Sequence, residues 1–365
     1  MPAAVETTSD GKLGAIEALR FFAALLVVFY HAYFSLPVPE GATRHDMTGF
    51  LSWFQNGMAG VDIFFVISGF VMYTASARRR VFDARAFLQD RFWRIYPVLW
   101  GALLIKIGLE FVTLNSGHGT VDPALYDPLR LAGQFLLFPM QEKHLLIAPT
   151  WTLSLEMIFY AIFALGYLRA GLRGVAIGML LWYGINSTLV YGLDLHLAQL
   201  GDVTNPVILE FLYGAVVGWL WLTCRGRFGR LALAFGVVAT LWMIFGVGWY
   251  YRLGIPREFG LGLPAACLVY GLASVNPPVP RWLLLGGRAS YVLYLTGDFV
   301  MGTSVAVFAA LLHIRIWNPD AQILGLLPVL AAVLFAVMMN VLLENPFQKW
   351  RRRHRKAVEA AHRGA

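Results

Sequence analysis

Charge is what this sequence is short of. Only 14% of its 365 residues are Asp, Glu, Lys or Arg, whereas a soluble domain typically carries about 25%. Cysteine is scarce as well, with Cys224 and Cys267 the only two. Two cysteines supply neither a disulfide framework nor a zinc site. Both lie in or near apolar segments, where free cysteine packs as a small hydrophobe, so no metal site is expected. These shortages exclude a disordered chain, a fibrous repeat and an ordinary cytosolic globule. What the chain has instead is apolar mass: 58% of its residues are hydrophobic and the mean hydropathy is +0.63. The expected fold class is all-α, a polytopic integral membrane bundle.

Ten apolar segments can be read along the chain: Ala15–Leu36, Met58–Ala77, Tyr96–Leu114, Trp151–Leu168, Val175–Leu193, Pro206–Cys224, Leu231–Tyr250, Phe259–Val275, Ser290–Leu312 and Ile323–Leu343. Each is close to the roughly 20 residues that a membrane-spanning helix needs. Lys12 and Arg20 precede the first run, but no small-residue cleavage pattern follows it, so it reads as a retained helix and not a cleaved signal. The expected organisation is one transmembrane domain over residues 1–348 and a basic cytoplasmic tail over 349–365.

The formal net charge is +8, and its distribution carries topology. With the N-terminus inside, 22 of the 29 Lys and Arg fall on inner segments and six on outer ones. That bias predicts about ten transmembrane helices with both termini cytoplasmic. The basic run Gln348–Lys356 reads as an anchor to anionic membrane lipid, with no nucleic acid as partner. The longest outer segment, Asn115–Thr150, holds an apolar patch at Phe135–Phe138 that is too short to span. It reads either as a re-entrant element or as an amphipathic loop on the membrane.

Ionisable residues inside spans are costly and mark pathways or reaction centres. Arg20 and His31 are 11 residues apart on the first segment, which is three helical turns, so both point to one face about 16 Å apart along the axis. Glu17 stands three residues before Arg20, within pairing range. His31 suits three roles: a hydrogen bond to a neighbouring helix, a proton relay, or a general base. Asp62, near the start of the second segment, could meet His31 across a hairpin and orient it, could bind a substrate hydroxyl, or could serve the helix dipole. Arg91 and Arg94 are three apart on one helical side. With Arg20 they form three guanidinium groups suited to phosphate oxygens, or else ordinary positive-inside anchors. Glu156 lies inside the fourth span and needs a partner, either in a functional site or in helix pairing. Trp151, Tyr30, Tyr33 and Tyr160 suit sugar stacking, although Trp and Tyr also form interfacial belts.

These pieces, in order, resemble the membrane-bound acyltransferase 3 family of bacterial O-acyltransferases that modify surface and exported carbohydrates. The resemblance rests on Glu17-Ala-Leu-Arg20 followed by His31, on Gly60-Val-Asp-Ile-Phe-Phe-Val-Ile-Ser-Gly-Phe70, on Arg91-Phe-Trp-Arg94 and on Trp151-Thr-Leu-Ser-Leu-Glu156 with Phe159-Tyr160. Ser290-Tyr-Val-Leu-Tyr-Leu295 and Glu344-Asn-Pro-Phe347 add weaker matches. It implies a multi-pass enzyme of the bacterial inner membrane that moves an acyl group, commonly acetyl, from cytoplasmic acyl-CoA to a sugar hydroxyl. It implies His31 as the catalytic residue, Arg20, Arg91 and Arg94 as the acyl-CoA-binding residues, and Glu156 as a further site residue. Acyl-CoA is then a co-substrate, and no cofactor is permanently bound. The implied partners are a carbohydrate or lipid-linked glycan acceptor and polysaccharide export machinery, with the pattern closest to shorter members that acylate exopolysaccharide.

Two departures accompany the match. Relatives often carry a histidine where this chain has Gly297, followed by Asp298. Many also carry an outer esterase-like domain after the membrane part; none is read here, so acceptor handling is expected of the membrane core or of a partner. The mechanism expected is proton removal by His31, with Glu156 or Asp62 holding the imidazole. Transfer is either direct or through an acyl-histidine. A proton-coupled transporter of a sugar, lipid or organic acid would also explain ten spans, His31, Asp62 and Glu156. It explains the three arginines less well, and no repeated half with paired broken helices is seen. A scaffold in a polysaccharide export complex is a third reading.

Overall fold

The computed structural model describes residues 13–36, 49–115, 122–189, 205–246, 253–312 and 323–351, with positions 38, 43, 353 and 354 besides. Among the described residues every regular element is helical. In chain order these are α1 (Gly14–Phe34), α2 (Ala59–Ala77), α3 (Ala84–Asn115), the short α4 (Pro128–Phe135), α5 (Thr150–Ser187), α6 (Leu209–Cys224), α7 (Gly229–Phe245), α8 (Gly262–Val275), α9 (Arg281–Leu312) and α10 (Leu326–Met339). A π-helical turn, Asn340–Glu344, carries α10 onward.

Eight of the helical stretches are long and apolar enough to cross a membrane, and α7 is a shorter apolar helix. The 38-residue α5 is two helices. Helical geometry fails at Ala170 and at Gly171, whose φ of +58° and ψ of −139° suit glycine alone. A Cβ on Gly166 would lie 2.6 Å from the Gly174 backbone, and one on Gly178 would lie 2.8 Å from Ile162 Cγ2. These contacts are symmetric about residue 170, as in an antiparallel hairpin. Counting α5 twice and including the shorter α7 gives ten apolar helices among the described residues, which match the ten apolar segments.

The helix ends differ from the apolar boundaries. The third segment is expected from Tyr96, but α3 begins at Ala84, where the Asp83 side chain accepts from Ala86 N at 3.0 Å. Arg91 and Arg94 are therefore helical residues within the bundle. The ninth, expected from Ser290, begins at Arg281. Apolarity marks the lipid-crossing part of a helix, and polar turns continue beyond it. The last residues of Val175–Leu193 and of Leu231–Tyr250 lie outside the described residues.

The Phe135–Phe138 patch descends into the bundle. Tyr126 OH bonds Glu110 near the top of α3. Trp100 Nε1 then donates to Phe135 O (2.9 Å) and Tyr96 OH to Leu136 O (3.0 Å). From the level of Glu110 to that of Tyr96 is fourteen residues of α3, about 20 Å at 1.5 Å per residue. Leu137 reaches the core, where it is buried. The segment thus descends along α3, as the re-entrant reading expects, and α5 starts at the depth to which it descends.

α1 and α9 run parallel along a seam of small residues, the usual means of close helix approach in membranes. A Cβ on Gly287 would lie 2.2 Å from Glu17 O, and one on Gly297 would lie 2.8 Å from Val28 Cγ2. This seam brings the two helices carrying His31 and Asp298 together.

Candidate active site

A cavity of about 420 Å³ opens among α1, α2, α3, α5, α6 and α9, within the range of about 300–1,000 Å³ usual for small-molecule sites. Arg78 and Trp221 line one end. Arg20, Arg91, Arg94 and Glu156 line its middle, and Val61, Thr152 and Tyr294 its other end. The three arginines expected to converge thus share one chamber, supplied by α1 and α3.

None of the three makes a direct ion pair among the described residues, although Glu17, Glu156 and Glu344 lie within electrostatic reach of Arg20. Among the described residues no carboxylate lies within 4 Å of the guanidinium of Arg20, Arg91 or Arg94. Glu17 lines the same cavity but forms no ion pair with Arg20. Asp90, the acid beside Arg91 in sequence, is engaged by Arg351 at 2.6 Å and by Arg79 at 3.5 Å. Arg91 Nε is buried with no hydrogen-bond partner. A buried, unsatisfied cationic donor costs free energy until an acceptor arrives. This chamber therefore suits an anion that brings its own oxygens.

Glu156 meets two hydroxyls and neither an arginine nor a histidine. Ser68 Oγ donates to its Oε1 at 2.7 Å, and Tyr160 OH donates to the same oxygen at 2.5 Å. Two donors on one oxygen support a negative charge there and fix the side chain against α2. The cavity ends at a hydrogen bond between Thr152 Oγ1 and Tyr294 OH (2.8 Å), with Phe64 edge-on to the Tyr294 ring. Tyr291 OH, a turn back along α9, donates to Ile95 O at 3.1 Å.

Beyond that ceiling, one helical turn along α9, stands the histidine. His31 Nδ1 lies 3.8 Å from Asp298 Oδ1, and the two side chains are 22% and 43% exposed. His31 is not among the residues lining the cavity. Phe299, the next residue on α9, faces α3, where Lys106 Nζ lies 6.0 Å from its ring centroid and 2.9 Å from Glu110 Oε1. The histidine thus sits beside one aspartate and the Tyr30 ring, toward the end of the bundle opposite Arg78.

Asp62 does not join it. A Cβ on Gly57 would touch Leu26 O, and one on Gly60 would touch Ala23 O. This register starts α2 well below His31 and sets Asp62 on the order of 15 Å lower along α1. There Asp62 is buried and receives a bidentate pair from Arg257, at 3.0 Å from Nε and 2.9 Å from the terminal nitrogen. The hairpin meeting expected of Asp62 and His31 therefore does not form. Glu210, fully buried on α6, lies beside this pair.

Sequence reading missed the roles of Ser68, Tyr160, Asp298, Arg257 and Glu210. Asp298 and Glu210 carried a usable signal, since each is an acid inside an apolar segment. The hydroxyl partners of Glu156 carried none.

A bundle of ten apolar helices around a buried cationic chamber, with a histidine–aspartate pair one turn above it, is the frame of a membrane-embedded group-transfer enzyme. The acyltransferase 3 family model, an acyltransferase domain, matches residues 13–344. The chain belongs to that family and is a multi-pass membrane acyltransferase. It is similar to the exopolysaccharide production protein ExoZ of Rhizobium meliloti (strain 1021), with 32% identity over 325 residues, covering 86% of this chain and 96% of ExoZ. It is also similar to BcsY of Komagataeibacter xylinus, with 26% identity over 293 residues, covering 77% and 70% of the two chains. The acyltransferase MdmB of Streptomyces mycarofaciens shares 25% identity over 393 residues, covering 96% and 95%. No solved structure matches the chain.

Proposed function

We propose that this acyltransferase moves an acyl group, acetyl in the simplest case, from acyl-CoA to a hydroxyl of an exported or surface carbohydrate, in the manner of an exopolysaccharide acetyltransferase of the bacterial inner membrane. One observation carries the reading. Three guanidinium groups without acidic partners line a chamber whose far wall, Thr152 and Tyr294, lies one helical turn below His31 and Asp298. The likeness to ExoZ, whose name ties that protein to exopolysaccharide production, supports the acceptor class.

The chemistry follows from the placement. Phosphate oxygens of the donor pair with Arg20, Arg91 and Arg94 in the middle of the chamber, and the acyl-bearing arm extends toward Tyr294. The acceptor comes from the opposite end. Asp298 faces Nδ1 of His31, which favours the proton on that nitrogen and leaves Nε2 to act as base. Nε2 takes the hydroxyl proton as the acceptor oxygen bonds to the thioester carbonyl carbon. The carbon–sulfur bond then breaks, and the departing thiolate receives the proton from the imidazolium. Glu156 shapes the chamber through Ser68 and Tyr160 and does not contact His31.

The test uses membrane vesicles bearing the full chain, with acetyl-CoA labelled in the acetyl group. Label in carbohydrate with the native chain, and none with His31→Ala at equal protein level, is the result expected. Undiminished labelling with His31→Ala rejects the base. Solute uptake with no labelled glycan is the result that the transporter reading requires.

A further inference from the structure

Trp221 does not behave like the belt tryptophans. Trp219, two residues earlier on α6, is exposed, as membrane-interface aromatics are. Trp221 is turned inward. It packs edge-on against the buried Phe70 at 5.7 Å between centroids and lines the cavity. Arg78, the residue that ends α2, holds its guanidinium carbon 5.7 Å from the Trp221 ring centroid and lines the same cavity.

Arg78 also differs from its neighbour in the chain. Arg79 pairs with Asp90, but no carboxylate among the described residues lies within 4 Å of Arg78. Arg78 is exposed as well. An aromatic ring beside a planar guanidinium is a stacking surface for flat π systems, and nucleobases use such surfaces without regard to sequence. Here it stands at one end of a chamber whose middle holds three unpaired guanidinium groups. The arrangement matches a ligand with a flat base at one end and phosphates next to it.

We propose that Trp221 and Arg78 form the base-stacking platform of a nucleotide site whose phosphates are held by Arg20, Arg91 and Arg94. This deepens the donor reading above and rests on it: the platform takes the adenine of acyl-CoA and fixes which end of the donor stays at the cavity mouth. The platform contributes affinity for the nucleotide end and takes no part in the acyl transfer itself.

The experiment measures binding and transfer separately on the purified full chain in detergent. Binding of adenosine 3′-phosphate 5′-diphosphate, which lacks the pantetheine arm, is read by calorimetry. Trp221→Ala should weaken it about tenfold or more, as stacking contacts do. Trp221→Phe should retain most of the affinity, and Arg78→Gln, at an exposed position, should weaken it without loss of fold. Pyrophosphate serves as the control and should bind all three variants as it binds the native chain. No nucleotide binding by the native chain, or unchanged binding by Trp221→Ala and Arg78→Gln, overturns the platform. Equal weakening of pyrophosphate overturns it as well. In transfer assays Trp221→Ala and Arg78→Gln should raise KM for acetyl-CoA but leave KM for acetyl-phosphopantetheine unchanged. Nucleotide binding without transfer sinks the enzymatic reading alone. Transfer with an unaltered acetyl-CoA KM in both variants sinks the platform alone.

Discussion

His31 Nδ1 faces Asp298 Oδ1 at 3.8 Å across the α1–α9 seam, on a helix whose preceding residue, Gly297, packs on Val28. The two residues are 267 positions apart in sequence, and the close approach of these helices is what joins them. The acid facing the imidazole therefore stands on α9, and neither Asp62 nor Glu156 contacts it.

Replacing His31 by Ala should lower acyl transfer at least about a hundredfold, the scale of general-base catalysis, with normal protein yield. Asp298→Asn should cause a smaller loss, carried by kcat with KM for the donor unchanged. Asp298→Glu should recover part of it. Steady-state kinetics in vesicles will show the split, and an Asp298→Asn enzyme with native kcat removes Asp298 from the mechanism.

Arg91→Ala should raise KM for acetyl-CoA about tenfold to a hundredfold, the effect of losing a charge-assisted hydrogen bond worth about 1.5–3 kcal/mol. Arg91→Lys should not restore affinity fully, because lysine has no donor at the Nε position. A lysine variant with native KM would show that only the charge matters.

Asp62→Ala should act on folding. It strands the Arg257 guanidinium in a buried pair, a change worth about 3–5 kcal/mol. The expected result is a fall in folded, monodisperse protein on size-exclusion chromatography, with activity falling in proportion. Full yield with abolished activity would instead return Asp62 to the catalytic residues.

Gly287→Ala should separate α1 from α9. Its Cβ would meet the Glu17 carbonyl at 2.2 Å, so the helices must move, at a cost of about 1–3 kcal/mol. Thermal unfolding in detergent should report a lowered midpoint, and transfer should fall more than stability because the shift pulls His31 from Asp298.

Much of this architecture is legible in the chain. The apolar segments give the ten apolar helices, including the break between Leu168 and Val175 that a continuous helical trace conceals. Helical periodicity also puts Arg91 beside Arg94, and both line one chamber with Arg20. Partnerships across helices are less legible, because they depend on rotation and axial register. Asp62 and His31 lie on consecutive segments, yet the Gly57 and Gly60 contacts slide α2 down α1 and separate them. Asp62 then finds Arg257, 195 residues away. Glu156 needed a partner, and a neutral serine and tyrosine supply it, which no charge pattern announces.

Asp90 immediately precedes Arg91 on α3, and adjacent helical positions face different ways. Arg351 and Arg79 hold it elsewhere. The final helical stretch of the bundle is thereby stitched to α3, which supplies two of the chamber's three guanidinium groups. Arg351→Ala would leave Asp90 to Arg79 alone, and the hollow would lose a brace although none of its own lining side chains had been touched.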